Sequence, residues 1–223
     1  MTTGGLGRMH SDDPRDRAFA MRAFVTVPDV LPTSRYCHVP PRLFPLDQGG
    51  DPHCVGYASR GLLYAGPIVN RGGPDARTIY TEAQKRDEWE GEAYAGTSAR
   101  GAMKYLQEQG LIESYVWAWS AETIRLWHLT TNRPTLLGYN WYSSFNAPTR
   151  DGFISIGPNA RIEGGHETLS IGWDDRRGAA RCMNSWGGWG QRGRFWIAGE
   201  TLERLLQEDG DCVTPIERRE VTT

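Results

Sequence analysis

The chain changes its hydrophobic period once, and that change constrains the fold more than any other feature. From Cys54 on, Val55, Ala58, Leu62 and Leu63 recur at helical spacing, and Gly66-Pro67 closes the run. A second helix is expected over 78–89. The stretch "AGTSARGAMKYLQEQGL" supplies a cap at Thr97 or Ser98, an apolar stripe of Ala102, Met103 and Leu106, and a stop at Gly110. Ser120 caps a fourth helix that ends before Pro134. The pattern then shortens into strands at 136–142, 167–173, 179–185 and 193–197, with turns at "DDRRG" and "GGWGQRG" and a short helix over 201–207. Helices first and strands second predict an α+β chain, a helical lobe (about 48–130) beside an antiparallel sheet or barrel lobe (about 131–208).

The flanks read differently. Residues 1–23 are polar, interrupted at Asp13-Pro14, and are expected as an extended or disordered arm. Five prolines between 24 and 46 make that stretch an irregular wrap, and 209–223 reads as a fraying tail. The 223 residues suffice for one domain or two tightly packed lobes, and nine Trp and nine Tyr supply bulk for a core. A formal net charge of −2 gives no basic field for nucleic acid. Only Lys85 and Lys104 are lysines, so arginine carries nearly all the positive charge, scattered rather than clustered. The N-terminus has no apolar core of signal-peptide length, and no apolar run reaches membrane-spanning length. The expectation is therefore a cytoplasmic protein with no membrane or nucleic-acid partner. Four dispersed cysteines, Cys37, Cys54, Cys182 and Cys212, are expected as thiols rather than a disulfide framework.

Chemistry gathers around the first of the helices. "DQGGDPHCVGY" sets Gln48 six positions before Cys54, which stands where the helix begins. A helix N-terminus lowers a thiol pKa through its unpaired N–H groups, and an imidazolium lowers it further. An inert core thiol is the plainer alternative. Of the five histidines, His10 lies in the arm, His53 adjoins Cys54, and His128 falls in an expected surface helix. His166 follows Gly164-Gly165 at the start of a strand, a firm mount for a base, although alone it reads more readily as a loop residue than as a base. Asn184, followed by Ser185 and Trp186, could fix the imidazole tautomer while an indole keeps water away. "CH" at 37–38 and "HC" at 53–54 fit no defensible zinc spacing, so neither metal nor cofactor is expected.

Taken together in this order, Gln48, Cys54, "GGH" at 164–166 and "NSWGGWGQRG" at 184–193 resemble the papain-like cysteine peptidases, over about residues 40–208. "DPRDRAF" and "GTSARGAMKYLQEQGLI" resemble bacterial or phage-type members that lack a secretory prodomain. The resemblance implies a two-lobed fold with the active site in the cleft between lobes. It implies Cys54 as nucleophile in a thiolate–imidazolium pair with His166, Asn184 as orienter, and Gln48 with the Cys54 N–H as oxyanion hole. It places Ala95-Gly96 on the backbone of an extended substrate, and Gly165 and Trp186 along the substrate site. The chain departs from the family by carrying Asp51-Pro52-His53 where a cysteine and small residues usually precede the nucleophile, and Val55 where an aromatic usually follows. The implied function is a cysteine-type peptidase acting on polypeptide through an acyl-enzyme. Acyl transfer with the same triad, or a papain-like binding or assembly component, for instance in a bacteriophage particle, are the alternatives. A virion location would follow for a phage-encoded chain.

Overall fold

A computed structural model describes residues 4–216. The helices are α1 (Cys54–Tyr64), α2 (Ala76–Gln84), α3 (Ala99–Glu108), α4 (Ala121–Thr131), a single kinked turn α5 (Trp189–Arg192) and α6 (Gly199–Gln207). Caps fix three of their starts. The Asp75 carboxylate accepts from the Thr78 N–H at 2.8 Å, Ser98 Oγ from Gly101 at 3.1 Å, and Ser120 Oγ from Thr123 at 3.3 Å. Asn132, in the left-handed region at φ 56°, ends α4. A Cβ on Gly56 would lie 2.1 Å from the Ala76 carbonyl oxygen, so the glycine inside α1 lets α2 pack directly on its backbone.

The strands are β1 (Ser34–Tyr36), β2 (Tyr115–Ala118), β3 (Thr135–Tyr142), β4 (Phe153–Ile154), β5 (Ile162–Asp174), β6 (Ala179–Met183), β7 (Arg194–Ala198) and β8 (Asp211–Pro215). They form one sheet ordered β2-β8-β3-β5-β6-β7-β4, with β1 pairing β5, antiparallel everywhere except β4 against β7. Alternation along the strands divides the interior in two. Leu136, Leu169 and Val213 join α1, α2 and α3 in one core, while Leu137 and Cys212 join α4, α6 and the aromatic cluster of Tyr139, Trp141 and Phe145 in the other. The fold is thus α+β, helices against an antiparallel sheet.

Three expectations change. Residues 211–215 are not a fraying tail but a strand seated between β2 and β3 (217–223 lie outside the described residues). The helical lobe does not run to residue 130, because Ile124, Trp127 and Leu129 of α4 pack into the second core with the sheet. The arm, of which residues 1–3 lie outside the described residues, is held in place. Residues 4–10 run extended, and 14–19 and 21–24 form 3₁₀ turns, the first capped by Asp13. All four cysteines are buried thiols without a disulfide. Among the described residues no helix is long and apolar enough to cross a membrane.

Candidate active site

Cys54 opens α1, and His166 sits in β5 opposite Tyr139 of β3; both side chains are completely buried. His166 Nε2 lies 2.8 Å from Asn184 Oδ1. The Ser185 N–H donates to that same atom at 2.8 Å, which identifies it as the amide oxygen. His166 Nε2 must therefore carry the proton, and Nδ1, which has no hydrogen-bond partner, is left as the basic nitrogen. Trp186 lies over the imidazole at 4.7 Å between ring centroids, and Trp141 meets it edge-on at 4.9 Å. Asn184 thus accepts its bond in surroundings that exclude water.

Gln48 is fixed from two sides. Its Oε1 accepts from Ser185 Oγ at 2.5 Å and its backbone N–H donates to the Ser185 carbonyl at 2.8 Å. Its Nε2 donates to the Asp51 carbonyl at 2.7 Å and, at 3.0 Å, to the carbonyl of Gly5 in the arm.

The arm fills the groove between the halves. The Gly165 carbonyl accepts from the N–H groups of both Gly7 and Arg8 at 3.0 Å. The Thr97 N–H donates to Gly7 and the Met9 N–H donates to Thr97, both at 2.9 Å, closing a parallel bridge. Gly4 lies against the Trp186 indole, where a Cβ would come within 2.2 Å of Nε1, and a Cβ on Gly165 would come within 2.1 Å of the Arg8 carbonyl oxygen. The backbone N–H groups of Glu167, Gly7 and Val55 lie near enough to the Cys54 thiol to favour its charged form.

This cover changes the protonation of the pair. Burial pushes the Cys54 thiol up to about 12, with the nearby N–H groups opposing, and pulls His166 down to about 4, with the Asn184 bond opposing. With the arm in place the two are a neutral thiol and a neutral imidazole.

Other expected residues fall in place or outside it. Ala95 is exposed at the rim. Gly96 is buried, but its N–H donates to the Tyr80 hydroxyl and its carbonyl accepts from Gln84, so the arm pairs with Thr97 one residue further on. His128 is not on a surface helix: it is wholly buried, 2.8 Å from Ser170 Oγ through Nε2 and drawn down to about 3 by burial. His53 packs on the Tyr80 ring at 4.2 Å. Among the described residues no group of three His, Cys, Asp or Glu side chains gathers as a metal site would need. Three residues of this region went unread in the sequence: Arg8 of the arm, and Glu167 and Asp211, both buried beside it. The available signal was a glutamate inside an apolar strand, directly after His166.

No protein-family model and no curated protein sequence matches the chain. Solved structures do. Xylellain, a cysteine protease from Xylella fastidiosa, superposes with a TM-score of 0.71 at 20% identity, covering 96% of this chain and 97% of that one. A procathepsin B from Trypanosoma congolense gives 0.61 at 13%, covering 96% and 87%, and the digestive procathepsin L2 of Tenebrio molitor gives 0.59 at 14%, covering 95% and 73%. The fold is papain-like.

Proposed function

We propose that this chain is a cysteine-type peptidase, with Cys54 as nucleophile, His166 as base, Asn184 as its orienter and Gln48 as oxyanion donor. One observation carries the reading. A stretch of polypeptide already lies in the groove, with the Gly5 carbonyl on Gln48 Nε2 and its backbone bonded to Gly165 and Thr97 on either side. A groove that binds backbone in this way, lined by Gln48 and by Gly165 next to an imidazole oriented by Asn184, suits amide cleavage.

The steps follow from the protonation pattern once the arm leaves. Water then reaches the pair, the desolvation that keeps both groups neutral is relieved, and His166 Nδ1 takes the thiol proton. The thiolate adds to the substrate carbonyl carbon. The resulting oxyanion accepts from Gln48 Nε2 and the Cys54 N–H, an interaction worth about 3 kcal/mol per donor. His166 returns its proton to the leaving amine, the C–N bond breaks, and a thioester remains on Cys54. Water, deprotonated by His166, then releases the acid. Asn184 keeps the ring tautomer that puts the base at Nδ1 throughout.

Incubation with an epoxide thiol inactivator, followed by mass spectrometry, tests the nucleophile, and digestion of a denatured protein tests the reaction. One adduct on Cys54 and cleavage that disappears in Cys54→Ala are expected. An adduct elsewhere, or cleavage undiminished in purified Cys54→Ala, overturns the assignment.

A further inference from the structure

Three neighbouring strands bring two carboxylates and a glycine into one row. Gly138 of β3 stands opposite Glu167 of β5 on one side and Asp211 of β8 on the other. All three therefore face the same side of the sheet. Both acids are buried, and Glu167 directly follows His166, with its backbone N–H at the Cys54 thiol. Because residue 138 has no side chain, the space between the acids stays open. A Cβ there would come within 2.6 Å of Arg8 Nε, 2.7 Å of Asp211 Oδ1 and 2.7 Å of Glu167 Oε2. The Arg8 guanidinium occupies that space with its side chain 1% exposed. One terminal nitrogen donates to Asp211 Oδ2 and to the Asp209 carbonyl at 2.6 Å, and lies 3.0 Å from His10 Nδ1.

The hydrogen-bond count is incomplete on both sides. Both oxygens of Glu167, Asp211 Oδ1 and Arg8 Nε have no hydrogen-bond partner, although all are buried. Buried carboxylates left without a cation are costly, and buried acceptors in a finished structural joint are usually used. The pocket thus offers a cation more acceptors than Arg8 takes up. Its occupant Arg8 belongs to the arm segment that is bonded to Gly165 and Thr97.

We propose that Glu167, Asp211 and the vacancy over Gly138 form a guanidinium-binding subsite. It takes an arginine side chain of a polypeptide lying in the groove, and Arg8 of the arm fills it in the closed chain. This inference rests on reading the groove as polypeptide-binding. The planar fork of arginine can meet acceptors on both acids at once, whereas an ammonium is a point charge, so arginine is favoured over lysine. An apolar side chain would leave the acids buried without a counter-charge and is disfavoured.

The test measures binding without the reaction. The full-length chain carrying Arg8→Glu and Cys54→Ala places a third carboxylate where the arm would dock, and cannot cut. Two fluorescent heptapeptides with the sequence of residues 4–10 are titrated into it by anisotropy. One carries arginine, the other citrulline, which keeps the shape and lacks the charge. The arginine peptide is expected to bind at least about thirtyfold tighter, the scale of removing one partner from a buried charge pair. Glu167→Gln together with Asp211→Asn should bring the ratio towards one. Gly138→Ala, which keeps both acids and fills the seat, should weaken the arginine peptide most. Equal affinities for the two peptides, no binding of either, or an unchanged ratio in both pocket variants overturns the proposal. In digests by the Arg8→Glu chain with Cys54 intact, arginine should recur at one fixed distance from the cut bonds. A chain that binds with the expected ratio yet cuts nothing supports the subsite and counts against the Cys54 chemistry instead.

Discussion

Beside its backbone bonds the arm has two ion-paired fastenings, and they are built with opposite polarity. At the outer one, Arg100 of α3 reaches out to the arm. It donates to both oxygens of Asp16 and, through Nε, to Ser11 Oγ at 3.0 Å, with Glu88 at 3.2 Å and the Trp117 ring 5.0 Å below. At the inner one the arm's own Arg8 reaches into the domain, to Asp211 and Glu167. The outer carboxylate uses every oxygen it has. The inner acids leave three oxygens unused. A joint between two parts of a chain has every reason to satisfy its polar atoms. A seat that must also release its occupant does not. The difference separates what merely holds the arm from what the groove is made to hold.

The largest effect should come from breaking the inner fastening. Arg8→Glu in the full chain should raise the alkylation rate of Cys54 by roughly 10²- to 10³-fold, since disrupting a buried pair typically costs about 3–5 kcal/mol. A rate unchanged from wild type would mean that Arg8 does not keep the groove shut. Next comes Gln48→Ala in that opened background. Hydrolysis should fall about 10²-fold with alkylation unaltered, because only the former builds an oxyanion. A parallel fall in both rates would make Gln48 a loop support. At the outer fastening, Asp16→Asn should raise Cys54 alkylation by less than about tenfold and lower Tm by a few degrees, as Glu88 still faces Arg100. If it opens the groove as far as Arg8→Glu does, the contrast between the two sites fails.

The smallest effect concerns pH. Burial raises Glu167 well above the usual carboxylate range; the Asp211 charge adds to this and Arg8 opposes it. A pKa raised by folding gives stability that is complete below the ordinary value of about 4.3 and is lost as pH rises through the folded one. Glu167→Gln does not titrate. Its Tm should therefore gain on that of wild type between pH 5 and pH 8, by a few degrees at most, as scanning calorimetry can measure. A constant gap across that range would place the ordinary carboxylate pKa on Glu167.

What the sequence disclosed follows the range of the forces involved. Cys54 at a helix start, Ser98 and Ser120 as caps, and the strands around His166 and Asn184 are local matters of period and capping, and were legible. Asn184 as partner of His166 was legible only as one of two readings, since its alternative, a turn residue, has the same neighbours. The arm was legible as an arm, but its docking was not. Its polar, glycine-rich start has no periodicity, and its place depends on backbone bonds to Gly165 and Thr97, which any sequence can make. Strand β8 was hidden for a related reason: "DCVTP" is short, and only pairing with β2 and β3 from distant parts of the chain makes it a strand. His128 was assigned to the surface because one polar residue on a helix usually faces water, but here Ser170 of β5 supplies it with a buried partner.

Strand β8 also sets an order of events during synthesis. Arg8 and Asp211 are separated by 203 residues. A growing polypeptide on the ribosome therefore exposes its arginine long before the acid that receives it exists. Until β8 inserts between β2 and β3 the central sheet has a gap, and the groove beside Cys54 has neither its wall nor its plug. Strand β8 thus completes the sheet and makes the seat for Arg8, so that maturation of the fold and closure of the groove coincide.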